Sequence, residues 1–296
     1  MHLIRAATIS VANLDKSIED YGWLNYKPVE RGKVEQQLAL SWGAENTSGL
    51  NYAVLQPQSG RDIFVRMIEQ DTHPDYKPLR TYGWAALEIC TQDTIRVNEI
   101  MEDSPFEIIG PPRRLDGMDA IFPMQVKGRD QEIVYLTQIS GDMPDENLPR
   151  ASTLIDSLFI LVLASPDLQK EIDWIVDKLG VDLGYEINLN YTMINKAFGL
   201  KDGTKHDIVT MRHQGDVFLE VDQYPDASIV RQSHPRQLPP GMSMGSFIHP
   251  EFDHIVELNA EAWITPPVKK DGAIYKGKRA GTLRSPSGTL FEMIEA

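Results

Sequence analysis

Two strand-like stretches each carry a glutamate among residues that favour burial: GTLFEMIEA at residues 288–296 and GDVFLEVDQYP at residues 215–225. Side chains alternate along a strand, so Leu290 and Ile294 share a face with Glu292, and Phe218 and Asp222 share one with Glu220. A carboxylate on such a face loses water, and its charge has to be met by a metal ion, a basic side chain or a proton. Loss of water also raises basicity, which is what a group needs to take a proton from carbon beside a carbonyl. Glu292 and Glu220 are therefore the candidate catalytic pair, expected to face each other across one cleft. The same two carboxylates are the candidate ligands for a divalent metal.

Two carboxylates fall short of the three or four ligands of a tight transition-metal site, which usually includes imidazole. His206, His213, His249 and His254 are the histidines that could join them, although each reads first as a surface or hydrogen-bonded side chain. Upstream of Glu292, the segment DGAIYKGKRAGTLRSPSG gathers Tyr275, Lys278, Arg279 and Arg284. In an acidic chain this cluster could draw an anionic or oxygen-rich substrate, and it reads equally as a solvated loop. Tyr275 and Arg279 are its substrate-binding candidates. The chain carries no Walker loop, dinucleotide fingerprint, HExxH or nucleophile elbow.

The elements that must position these groups recur. LIRAATISVANLDKSIEDYGWL, GWAALEICTQDTIRVNEIMED, LIDSLFILVLASPDLQKEIDWIVDKLG and GMSMGSFIHPEFDHIVELNAEAW each predict a strand followed by a short helix. In the second, Thr91 or Asp93 can cap the helix; in the third, Ser165 can cap it, Pro166 suits its first turn and Gly180 stops it. Each copy continues into about three more strands, the last of them after a glycine turn. Arg66, Tyr135, Glu220 and Glu292 are then equivalent positions, spaced 69, 85 and 72 residues apart in turn. The polar, proline-bearing residues 140–153 read as a linker. They predict an N-terminal domain over 1–145, of modules 1 and 2, and a C-terminal domain over 150–296, of modules 3 and 4. Residues 224–241 are long for a simple loop, as a segment covering a site would be.

A chain of 296 residues has room for this core. Its net charge of −14 repels phosphate backbones and anionic membrane surfaces, so neither nucleic acid nor a membrane is an expected partner. A single cysteine, Cys90, rules out an intrachain disulfide and a cysteine metal cluster, and suits a reducing cytoplasm. No signal peptide or membrane span is read, so the expected location is cytoplasmic.

Four modules of this order, with SPSGTLFEMIE, NKAFGLKDGTKHDIVTMRHQGDVFLEVDQYP and FEIIGPPRRL as their most specific parts, resemble the vicinal oxygen chelate superfamily of glyoxalase I, bleomycin resistance proteins and extradiol dioxygenases. The resemblance implies an α+β fold in which four βαβββ modules pair into two glyoxalase-like half-open barrels. It places metal ligands on the first and last strands of paired modules. The last-strand positions are Arg66, Tyr135, Glu220 and Glu292; the first-strand positions fall at about Ala6, Trp84, Ser157 and Met244, where the superfamily's metal enzymes generally carry His, Gln or Glu. Ser157 and Met244 thus become substrate-binding candidates in the C-terminal cleft, with His249 five residues beyond Met244. The N-terminal half reads as structural or accessory.

The implied cofactor is one divalent ion (Zn, Ni, Mn, Co or Fe), or none. The implied function is a lyase or isomerase that acts on a small apolar or aromatic oxygenated metabolite by carboxylate-base or metal-assisted proton transfer. Two alternatives stand beside it. One is a non-catalytic small-molecule binder of the resistance-protein kind. The other is an Fe(II) extradiol dioxygenase, which needs two histidines and a carboxylate and finds only Glu292 in place. Four modules in one chain can complete both clefts internally, and a homodimer through outer sheet faces is left open.

Overall fold

The structure, a computed structural model, describes residues 2–115, 117–144 and 146–296. Module 1 runs β1 (Ile4–Val11), α1 (Leu14–Gly22), β2 (Tyr26–Lys33), α2 (Gln36–Ser41), β3 (Asn51–Pro57) and β4 (Phe64–Glu69). Module 2 follows with β5 (Gly83–Thr91), α3 (Thr94–Glu102), β6 (Glu107–Gly110), β7 (Ile121–Lys127) and β8 (Ile133–Ile139). Module 3 is β9 (Ile155–Ser165), α4 (Leu168–Leu179), β10 (Asp182–Asn190), α5 (Thr192–Phe198), β11 (Lys205–His213) and β12 (Asp216–Gln223). Module 4 closes the chain with β13 (Gly241–His249), α6 (Phe252–Leu258), β14 (Val268–Lys269), β15 (Arg279–Arg284) and β16 (Leu290–Glu295). The four repeats read from the sequence are these four βαβββ units.

Local chemistry sets the helix ends. Asn13, Asp93 and Asp167 cap α1, α3 and α4 by accepting from the backbone N–H three residues on. Asp167 takes the place expected of Ser165, whose hydroxyl instead accepts from the Asp167 N–H at 3.1 Å, so Pro166 stands ahead of the cap. Gly180 ends α4 at φ 63°, a left-handed turn that glycine adopts without penalty.

The first strands are the most deeply buried, and β1 and β9 are buried along their whole length. Each therefore needs a neighbour on both edges. Sheet one has the order β14-β15-β16-β13-β1-β4-β3-β2, and sheet two has β10-β11-β12-β9-β5-β8-β7-β6. At the middle of each, two first strands pair antiparallel, β1 with β13 and β5 with β9. Each first strand also pairs parallel with the last strand of its own module.

This corrects the expected pairing of modules. Barrels made from 1–145 and from 150–296 would join β1 to β5 and β9 to β13. The structure instead joins module 1 to module 4 and module 2 to module 3. Glu146 and Asn147 lie against sheet two, where the Asn147 N–H donates to Gly215 O at 2.8 Å and Glu146 accepts from Thr210 Oγ1 at 2.7 Å. With the middle modules joined, the first and last modules are left to each other.

The two sheets share a core. Trp84 donates its indole N–H to Leu290 O at 2.8 Å, and its ring lies 4.8 Å from that of Phe291. Phe247 continues the stack from Phe291, and Phe218 meets Phe247 edge-on. Burial of each such side chain is worth about 1.5–3 kcal/mol, so the contact stabilises the sheets against separation. No helix among the described residues is long and apolar enough to cross a membrane.

Candidate functional site

The register of the parallel pairs defines two equivalent centres. In sheet one, Thr8 stands opposite Arg66 and Ser246 opposite Glu292. In sheet two, Glu88 stands opposite Tyr135 and Val162 opposite Glu220. The last-strand positions read from the sequence are therefore the ones that come together. The first-strand positions are not: Thr8, Glu88, Val162 and Ser246 take the places expected of Ala6, Trp84, Ser157 and Met244. Irregularities flanking these positions break the alternation by which a sequence is counted; β1 shifts register between Thr8 and Ile9, and β5 between Trp84 and Ala86 and again after Glu88.

Glu220 and Glu292 do not meet. They lie in different sheets, so the expected shared cleft does not exist. Glu292 is fully buried in a network. One oxygen accepts from Trp42 Nε1 at 2.9 Å, the Tyr275 hydroxyl at 2.7 Å and Lys270 Nζ at 3.4 Å. The other accepts from Ser246 Oγ at 2.7 Å and Arg66 Nη2 at 3.0 Å. Arg66, 1% exposed, also donates to Thr8 Oγ1 and the Tyr275 hydroxyl, and lies over the Trp42 ring at 4.5 Å. Burial alone would push the Glu292 carboxyl up; the charges of Arg66 and Lys270 override it and hold the group ionised, well below the usual range.

Sheet two encloses a cleft of about 700 Å³. Ile160, Ile187 and Ile208 form part of its walls, Glu88, Tyr135 and Glu220 converge on its floor, and Arg113 and Lys196 stand among its lining residues. Just before α5, Tyr191 hydrogen-bonds through its hydroxyl to that of Tyr135. Glu88 is 7% exposed and accepts from the Thr137 hydroxyl. Burial first, and the charge of Glu220 second, push its pKa up to about 8, against the pull of Thr137. Glu220 is half-buried and lines the cleft; burial, then the neighbouring Asp222, push it well above the carboxylate range. Asp222, 1% exposed, is pushed up to about 7, chiefly by burial. None of the three has an ion pair among the described residues.

The remaining candidates scatter. Tyr275 belongs to the Glu292 network. Arg279 is engaged with Asp253 and Glu295 near the surface, both at 2.7 Å. Met244 packs with Trp42 and Leu290 in the sheet-one core, and Ser157 is buried in β9 outside the cleft lining. His249 is buried with its ring 5.1 Å from that of His213; burial, then His213, lower its pKa to about 4. His206 Nε2 pairs with Asn195 Oδ1 at 2.8 Å. Glu88 is the floor residue that the sequence reading passed over. It carries the same signal as the other two, a glutamate inside an apolar strand, in GWAALEICT.

Neither centre fits the divalent ion that the resemblance implies. In sheet one the Arg66 guanidinium already sits against the carboxylate that would have to bind it. In sheet two the four positions offer two carboxylates, a phenol engaged with Tyr191 and a valine, with no imidazole. Among the described residues no group of three or more His, Cys, Asp or Glu could hold a metal.

No protein-family model matches the sequence, and no curated protein matches it. Solved structures do resemble it. Glyoxalase I from Zea mays has a TM-score of 0.66 over 100% of this chain and 92% of that one, at 15% identity. A putative dioxygenase from Bacillus subtilis subsp. subtilis str. 168 also scores 0.66, over 99% of this chain and 84% of that one, at 13% identity. Identities this low speak for fold and leave the chemistry to the site. With two mixed eight-stranded sheets built from four βαβββ units, the chain is a four-module protein of the glyoxalase, or vicinal oxygen chelate, fold.

Proposed function

We propose that the sheet-two cleft binds a small, largely apolar or aromatic oxygenated metabolite and moves a proton on it without a metal, as a lyase or isomerase. The observation that carries this reading is that Glu88 and Glu220, from two different modules, share the floor of a largely apolar cavity with no ion pair to either among the described residues. Two carboxyls that feel each other's charge do not ionise together. The ionised member can take a proton from the carbon beside a carbonyl. The protonated member can supply one to the carbonyl oxygen, which leaves a neutral enol. Return of a proton to the other face, or to the neighbouring carbon, gives an isomer; loss of a group from the enol gives an elimination. The apolar walls exclude water from the intermediate, and the cavity volume suits a ligand of that size.

A metal-free acid–base pair departs from the catalytic residues expected of the sequence by replacing Glu292 with Glu88. The dioxygenase reading draws no support, since no histidine stands at any of the eight first- and last-strand positions. The test is α-proton exchange in D2O, followed by proton NMR, over a panel of enolisable aryl ketones and 2-hydroxy ketones. Glu88→Gln and Glu220→Gln should each slow the exchange by about 10²–10⁴-fold. Undiminished exchange in both variants would remove the proposal, and ligand binding without any exchange would favour the non-catalytic binder.

A further inference from the structure

Asp222 is a buried acid that proton transfer by Glu88 and Glu220 leaves unused. Asp222 lies two residues beyond Glu220 on β12, on the same face of the strand. Apart from the Glu220 carboxyl, neither of its oxygens has a hydrogen-bond partner, and it has no ion pair, among the described residues. The residues opposite it, Ile208 on β11 and Ala164 on β9, offer no side-chain charge. Its ionisable surroundings are Glu220 on its own strand, Glu88 on β5, Tyr135 on β8, and Tyr191 and Tyr224 beside α5 and β12. The Tyr224 hydroxyl is itself unpartnered. The nearby cation, Arg231, is committed elsewhere: it donates to Trp84 O at 2.7 Å and Met242 O at 2.8 Å, and its guanidinium lies over Tyr76.

A carboxylate so placed cannot stand alone. Proton donation from Glu220 is the compensation its strand neighbour can give. We propose that Glu220 and Asp222 hold one proton between them, and that Asp222 is a positioning residue that keeps this proton on Glu220, at the cleft floor. The pair then behaves as a single acid. Its first proton leaves only toward neutral pH, because burial pushes Asp222 up to about 7, while its second is retained into alkaline solution because its loss would leave two bare charges side by side beside Glu88. A ligand entering the cleft at neutral pH thus meets Glu220 as a donor, while Asp222, outside the cleft lining, acts through Glu220. The usefulness of this arrangement rests on the proton-transfer reading of the cleft; its existence is a property of the ligand-free protein.

Carboxyl ¹³C NMR of ligand-free protein, labelled at Glu Cδ and Asp Cγ and titrated across neutral pH, tests it directly. The Glu220 and Asp222 signals should each show two steps at the same two pH values, separated by at least ~2 pH units. Asp222→Asn should leave Glu220 a single step at least ~1 pH unit below its former upper one, and Asp222→Glu should restore the second step. Independent single steps in the wild-type protein would overturn the proposal, as would an unchanged Glu220 titration in Asp222→Asn. The wild-type titration decides the matter even where a variant fails to fold. Shared steps together with α-proton exchange that survives Glu220→Gln would uphold the pair and overturn the catalytic reading instead.

Discussion

The centre of sheet one and the centre of sheet two use the same strand positions, yet Thr8, Arg66, Ser246 and Glu292 occupy them in the first and Glu88, Tyr135, Val162 and Glu220 in the second. Both bury glutamate. In sheet one the segment around α2 brings Trp42, and module 4 brings Lys270 and Tyr275, so every acceptor of Glu292 is used. In sheet two the matching insert, α5, brings Tyr191 to Tyr135 and leaves a cavity over the carboxyls. A buried carboxylate given a cation becomes part of the structure, whereas one denied a cation must manage a proton, and only the second has chemistry left to offer a ligand.

The largest expected effect breaks the contrast from the sheet-one side. Arg66→Met leaves Glu292 buried with a single weak cation, and should lower stability in urea unfolding by about 3–5 kcal/mol while leaving cleft binding intact. Loss of cleft binding at unchanged stability would reverse the roles assigned to the two centres.

A slightly smaller effect has the opposite sign. The folded-state pKa of Glu88, about 8, lies above its ordinary value of 4.5. The folded protein therefore holds more protons than the unfolded one between those limits, and this group lowers stability progressively as pH rises through that window. Glu88→Gln should change little near pH ~4 and stabilise the protein by about 2–4 kcal/mol near pH ~9. Glu292 behaves inversely: its pKa is depressed, so its contribution is present above the ordinary carboxylate range and is lost as pH falls through and below it. Thermal melts of Glu88→Gln and wild type across pH check this, and parallel profiles would sink the claim that Glu88 is uncompensated.

Thr137→Val sharpens the same point. It removes the donor that partly offsets burial of Glu88, at about 1 kcal/mol, and should move the Glu88 titration upward. Arg279→Ala, the smallest, should change neither ligand binding nor stability measurably, because exposed ion pairs contribute little. A clear loss of binding would return Arg279 to the site.

How far the sequence was legible follows from these residues. Glycine turns ahead of apolar strands located Arg66, Tyr135, Glu220 and Glu292, because that pattern is local. A shift in β5 between Trp84 and Ala86 separates Trp84 from the face of Glu88, whereas Thr8 follows Ala6 in unbroken register and nothing local marks it as the residue opposite Arg66. Two of the partners of Glu292, Trp42 and Arg66, come from more than two hundred residues away, and no local pattern announces them. Module pairing was hidden for a related reason. The four units share one element order, and that order alone does not say which first strands pair.

Methyl NMR of the ligand-free protein during titration with aryl ketone fragments tests the central contrast most directly. Ile160, Ile187 and Ile208 in the cleft should shift, while Ile274 and Ile294, packed near the Glu292 network, should stay still. Shifts confined to Ile274 and Ile294, with the cleft isoleucines unmoved, would contradict the assignment of sheet two as the working half.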